Sequence, residues 1–136
     1  MTNSKPRILI TGATRGIGRA TAFALQDFAH LVLVGRNDKA LETLVAELPS
    51  AEYVLADLAD SQKIIDGMRE AREKGALGTG NGGLDGAVLS AGVLAGDTVE
   101  NTKPSDWEFA LHMNVTSQAV LTAHILPELR EARGTI

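Results

Sequence analysis

Eight consecutive residues constrain this chain more than any others: Thr11-Gly12-Ala13-Thr14-Arg15-Gly16-Ile17-Gly18. They lie between an apolar run, Ile8-Leu9-Ile10, and an amphipathic stretch that starts at Ile17. The pattern reads as strand, glycine-rich turn, helix. Such a turn brings backbone N–H groups and a helix N-terminus up to a phosphate. The glycines divide the work: Gly12 permits a tight turn, Gly16 lets a pyrophosphate approach the backbone, and Gly18 lets the helix pack closely on the strand. A three-glycine pattern alone is weak evidence, and its place between strand and helix is what makes it informative. No Gly-Lys-Ser/Thr occurs between Gly12 and Gly18, which argues against a phosphoryl-transfer P-loop.

The rest of the chain repeats the alternation. Strands are expected at Arg7–Thr11, Leu31–Gly35, Glu52–Ala56 and Gly86–Ser90, and helices at Gly16–Phe28, Asp38–Leu48, Ser61–Lys74 and a long one near Ser105–Ala132. Leu31-Val32-Leu33-Val34 is apolar throughout, as a strand buried on both faces of a helix-covered parallel sheet must be. In the first helix Ile17, Ala20, Ala24 and Phe28 recur at helical spacing and form one apolar face. Asn37-Asp38 and Asp60-Ser61 have the character of N-caps. Strand–helix alternation implies right-handed crossovers and a doubly wound α/β sheet.

Gly75–Gly83 holds five glycines and few apolar residues, and is expected to be a flexible surface connection. Gly134 is placed to cap the long helix, and Thr135-Ile136 resembles the first residues of a further strand. Residues 1–136 are therefore expected to be the N-terminal part of a longer single domain. A length of 136 residues suits one domain. The net charge of -4 offers no basic excess for nucleic acid. No stretch approaches the roughly 18 apolar residues of a membrane span. The absence of cysteine rules out disulfides and thiolate metal sites and fits a cytoplasmic protein.

In open α/β sheets, ligands bind beyond the carboxyl ends of the strands. The polar and glycine residues gather there: Gly12 to Gly18 after the first strand, Gly35-Arg36 after the second, Asp57-Leu58 after the third and Ser90-Ala91-Gly92 after the fourth. Four such segments on one edge suggest a single extended ligand.

With these residues in view, the chain resembles the short-chain dehydrogenases/reductases, Rossmann-type nicotinamide enzymes. Thr11–Gly18 fits their Thr-Gly-x-x-x-Gly-x-Gly motif at every fixed position, and Asp57-Leu58 matches the pair that meets the adenine. Leu89-Ser90-Ala91-Gly92 stands where the family usually has Asn-Asn-Ala-Gly, with both asparagine positions replaced. Asn114 matches the helix asparagine that supports the active site. The resemblance implies a Rossmann-type doubly wound parallel sheet, incomplete here, with about four strands in the order 3-2-1-4 and a fifth only begun. It implies that Gly12, Thr14, Arg15, Gly16, Ile17, Gly18, Arg36, Asp57, Leu58, Ser90, Ala91 and Gly92 hold the cofactor. The implied partners are a small carbonyl or alcohol substrate and further copies of the chain, since the long helix usually contributes to a subunit interface.

Arg36 bears on the cofactor. NAD sites of this type place an acid near the end of strand two for the ribose 2′-OH, whereas NADP sites place an arginine there for the 2′-phosphate. Arg15 offers a second positive charge, and a guanidinium fork suits a phosphate. Asp38, 20 positions after Gly18, is the rival; its alternative reading is a helix N-cap. NADP is accordingly expected over NAD. Structural alternatives stand beside the other assignments: Asp57 as a strand terminator, Asn114 as a hydrogen-bonding link to the neighbouring strand, Ser90 as a backbone ligand. His30, His112 and His124 are not clustered with acids or with each other at metal-ligand spacing, and read as packing or surface residues. Trp107 and Phe109 are expected to pack the start of the long helix, with a substrate contact as the alternative, and loops such as Val93–Thr102 are expected to help form the substrate pocket.

The family moves its proton with a tyrosine whose pKa is lowered by a lysine four residues later, because an unperturbed phenol near pKa 10 is a poor base at neutral pH. The chain's one tyrosine is Tyr53, and the residue four further on is Asp57. The Tyr-x-x-x-Lys pair is thus absent from these residues, and the expected activity, hydride transfer between nicotinamide and a carbonyl or alcohol, belongs to the parent protein. The competing reading is a non-catalytic nucleotide-binding or regulatory module. Without a fifth strand, Ala87-Val88-Leu89 is expected to form an open apolar edge.

Overall fold

The computed structural model describes residues 4–136. Four parallel strands, β1 (Arg7–Thr11), β2 (His30–Gly35), β3 (Ala51–Leu55) and β4 (Gly86–Leu89), form one sheet in the order β3-β2-β1-β4. Between and after them run α1 (Gly16–Leu25), α2 (Asp38–Glu47), α3 (Ser61–Glu73), α4 (Pro104–Leu111) and α5 (Ser117–Ala132). This is the doubly wound arrangement that the alternation of strands and helices implies.

The strands divide their side chains between two cores. Leu9, Val32 and Val34 point to the face covered by α3 and α5, where they join Ile64, Met68 and Leu121. Ile10, Leu31 and Leu33 point to the opposite face and meet Ala22, Leu41 and Leu44 of α1 and α2. Leu31 to Val34 are fully buried, so the uninterrupted apolar run of β2 reports two covered faces. Asn37 Oδ1 accepts from the Ala40 N–H at 3.0 Å, and Asp60 Oδ1 accepts from Gln62 and Lys63 at 2.9 and 3.3 Å. Both caps therefore fall where the sequence puts them, with Asp38 the first helical residue rather than the cap.

Six expectations are corrected. The periodic face Ile17-Ala20-Ala24-Phe28 looks outward, with Ile17 79% and Phe28 69% exposed, and Gly18 and Ala22 are the buried residues of α1. A helix lying close against a strand turns its smallest residues inward. A Cβ added at Gly18 would overlap the Gly12 carbonyl oxygen and fall 2.6 Å from Ser90 Oγ. Also, α1 stops at Leu25, whose carbonyl accepts from both the Phe28 and Ala29 N–H groups as the chain turns into β2.

The long C-terminal helix is interrupted by a π-helical turn at His112–Thr116. Its left-handed terminal residue is Arg133, at φ 55°, not Gly134. Gly134 is needed for close packing, because a Cβ there would overlap the Leu84 carbonyl oxygen and sit 2.9 Å from the Asp85 carbonyl carbon. The β4 edge is not wholly open: Thr135 bridges Gly86 in parallel, with Thr135 O accepting from Ala87 N–H at 2.9 Å.

Gly75–Gly83 is a tied loop rather than a loose one. Its five glycines all have positive φ. Glu131 accepts from the Gly80 and Gly82 N–H groups at 3.1 Å, and Thr79 Oγ1 donates to Glu128 at 2.8 Å. Glu128 is fully buried and takes a bidentate pair from Arg72, at 2.6 and 3.0 Å. Thus α3, α5 and the loop share one polar junction.

Candidate functional site

A cleft of about 410 Å³ runs along the carboxyl edge of the sheet, within the range of small-molecule and cofactor sites. Each predicted strand-end segment reaches it. After β1 come Gly12, Thr14, Arg15, Gly16, Ile17 and Gly18. Arg36 follows β2, Asp57 and Leu58 follow β3, and Ser90, Ala91 and Gly92 follow β4. All twelve residues expected around a dinucleotide line this one space.

The turn after β1 is built for close approach. Gly12 has φ +65°, and a Cβ on it would lie 2.9 Å from Ala91 Cα. Gly16 has φ +57° with open space where its Cβ would be, so its backbone presents no side chain to the cleft. Whereas α2 and α3 begin with side-chain caps, Arg15, the residue before α1, provides none. Its first N–H groups lack side-chain acceptors, which with the helix dipole favours an anion at this end.

Thr11 and Ser90 lock the neighbouring strand ends together. Ser90 Oγ donates to the Thr11 carbonyl, and the Ala91 N–H donates to Thr11 Oγ1 at 3.1 Å. Asp57 uses Oδ1 to accept from the Ala59 N–H at 3.0 Å, an Asx turn that shapes the β3 exit. Asn114 lies outside the cleft lining, in the π-helical turn, where Oδ1 accepts from the Val93 N–H at 2.8 Å and Nδ2 donates to the Val93 carbonyl at 2.7 Å. It thereby fixes the segment that leaves β4.

The cleft lining mixes charged and apolar side chains. Arg15, Arg36 and Asp57 are its charged members, while Val93, Phe109 and Met113 supply apolar surface. Met113 alone was missed in the sequence, since Val93 opens the loop expected to help form the substrate pocket and Phe109 had a substrate contact as its alternative role. For Phe109, the expected role of packing the helix start gives way to a half-exposed ring on the cleft, and Trp107 is likewise 45% exposed. Gln118 was missed too: its Nε2 donates to the Ala91 carbonyl at 2.8 Å. Asp38 is not on the cleft. It lines a groove at the β3 edge with Glu52 and Tyr53, and accepts a 2.7 Å hydrogen bond from the Tyr53 hydroxyl.

Among the described residues no group of three or more His, Cys, Asp or Glu could hold a metal ion. His30 nevertheless has an acid partner that sequence spacing concealed, with Nε2 2.7 Å from Glu52 Oε1 and Nδ1 2.9 Å from Ser50 Oγ. This cluster includes Arg7, bonded to Glu52 at 2.9 Å, and involves residues near the amino ends of the strands, away from the cleft. Among the described residues no helix is long and apolar enough to cross a membrane.

Known proteins bear on the same residues. The family profile described as short chain dehydrogenase matches residues 6–136. The chain belongs to the short-chain dehydrogenase family. It is 35% identical to a serine 3-dehydrogenase of Rhizobium radiobacter over 134 residues, covering 95% of this chain and 51% of that one. Among solved structures, the RhlG/NADP active-site complex of Pseudomonas aeruginosa is 27% identical with a TM-score of 0.80, covering 96% of this chain and 50% of that one. An NADPH-bound carbonyl reductase from chicken fatty liver, 22% identical, shares the fold with a TM-score of 0.81. The chain spans about half the length of the relatives it matches. Its sheet order and glycine turn are those of that family.

Proposed function

We propose that the protein is an NADP(H)-preferring short-chain dehydrogenase/reductase acting on a small carbonyl or alcohol, and that these residues form its cofactor-holding half. The observation that carries this reading is the position of Arg36: it lines the same cleft as the uncapped N-terminus of α1, while Asp38 lies in a separate groove. NADP, when bound, exchanges a hydride with a substrate carbon. In this reading the Gly16, Ile17 and Gly18 backbone holds the pyrophosphate, Asp57 and Leu58 flank the adenine, and Arg36 with Arg15 faces the 2′-phosphate. A planar guanidinium pairs with phosphate oxygens in a bidentate fork. Ala91 and Gly92 line the cleft beyond, and Asn114 supports the site by holding Val93 in place. Tyr53 is ill-suited to proton transfer: its hydroxyl is committed to Asp38, and Asp57 stands four residues on. We assign the Tyr-x-x-x-Lys pair to the part of the family's length that this chain does not span, so these residues alone turn over no substrate.

Calorimetric titration with NADP and NAD tests the cofactor assignment. NADP binds more tightly, and Arg36→Ala weakens NADP about tenfold or more, roughly 1.4 kcal/mol, while leaving NAD nearly unchanged. An unchanged preference in Arg36→Ala would remove Arg36 from the site.

We also propose self-association through α4 and the π-helical turn. Trp107, Leu111 and Val115 recur every four residues and are 45%, 58% and 60% exposed, an apolar stripe of the kind that marks an interface. Sedimentation velocity should give a dimer or larger species that Leu111→Glu dissociates. A monomer at all concentrations contradicts this.

A further inference from the structure

We propose that Tyr53 is a positioning residue for cofactor choice: by tethering Asp38 at the β3 edge it keeps a carboxylate away from Arg36, and so favours a 2′-phosphorylated dinucleotide. The inference rests on the NADP reading above.

Arg36 and Asp38 are separated only by Asn37, the cap of α2. At that spacing the two charged side chains could compete for one another. They are instead sorted into different spaces. Arg36 lines the main cleft and a shallower adjoining one that holds Asp57 and Lys63. Asp38 lines neither and faces Glu52, Tyr53 and Lys74.

The tether that accounts for the sorting is the 2.7 Å bond from Tyr53 to Asp38 Oδ1. Tyr53 is itself fixed, because β3 pairs with β2 and sets Tyr53 against Leu33. Its hydroxyl remains the donor: the hydrogen bond to Asp38, then burial, then the Asp38 and Glu42 carboxylates hold its pKa above the ordinary tyrosine value. A released Asp38 would act against NADP in two ways. It would pair with or neutralise Arg36, and it would repel a 2′-phosphate. It would also supply the acid that accepts a hydrogen bond from an unphosphorylated ribose 2′-OH. All three effects move the preference toward NAD.

Tyr53→Phe removes the tether and keeps the ring on the sheet edge. Dissociation constants for NADP and NAD, measured by calorimetry at low ionic strength, give the readout. The ratio favouring NADP should fall about threefold to tenfold, the size expected for an exposed charge within a Debye length. Tyr53→Phe/Asp38→Asn should restore the ratio, and Asp38→Asn alone should leave it intact or raise it. If Tyr53→Phe weakens both dinucleotides equally, or if Asp38→Asn fails to rescue it, the inference is overturned while the Arg36 assignment stands. A wild-type protein that binds NADP and NAD equally overturns both.

Discussion

Glu128 is the residue at which charge, burial and loop geometry meet. Burial by itself would raise its pKa, but hydrogen bonds from Arg72 and Thr79 and the Arg72 charge outweigh it and hold the carboxyl below its ordinary value. Arg72 in turn is kept charged by its hydrogen bonds to Glu128. A folded-state pKa below the unfolded value of about 4.3 stabilises the fold above that pH, and the contribution is lost as pH falls through the folded value. Glu128→Gln leaves a partly buried guanidinium without its counter-charge and should cost about 1–3 kcal/mol in urea unfolding at neutral pH. The variant should also lose less further stability than the parent on acidification below about pH 4. Equal stability and identical acid profiles would mean that the junction is energetically idle. None of this was legible in the chain, because Arg72 and Glu128 are 56 positions apart. The tight turn at Gly12 and the close packing at Gly18 were legible, because both depend on what a missing Cβ permits, and that is a local property.

At the scale of elements, legibility followed the range of the forces involved. The Leu31–Val34 run announced a strand covered on both sides, and Asn37 and Asp60 announced caps, since each depends on neighbours within a turn or on simple burial. The face of α1 was misread. Ile17, Ala20, Ala24 and Phe28 satisfy helical periodicity, yet close packing on β1 selects Gly18 and Ala22. Periodicity ranks side chains by hydrophobicity, whereas a short helix–strand separation ranks them by size. The π-helical turn at His112–Thr116 left no periodic signal either, and it carries Asn114. In the same way Gly75–Gly83 read as loose because its anchors, Glu128 and Glu131, come from α5, far along the chain.

For the whole molecule, four strand ends converge on one cleft because a parallel sheet points every carboxyl end the same way, and the family membership of residues 6–136 agrees with that architecture. The edge-lining residues were therefore readable from strand order alone. Met113 was not, since it arrives from the π-helical turn, which folds back across the edge and leaves no periodic signal. We propose that a nicotinamide dinucleotide lies along this edge with its phosphates at the start of α1. Backbone amide shift mapping of the isotope-labelled protein during titration with NADP addresses it directly. Saturable shifts concentrated at Gly12, Gly16, Ile17, Gly18, Asp57, Ala91 and Gly92 are expected. Saturable shifts confined to another face, or none on addition of NADP or NAD, would contradict it.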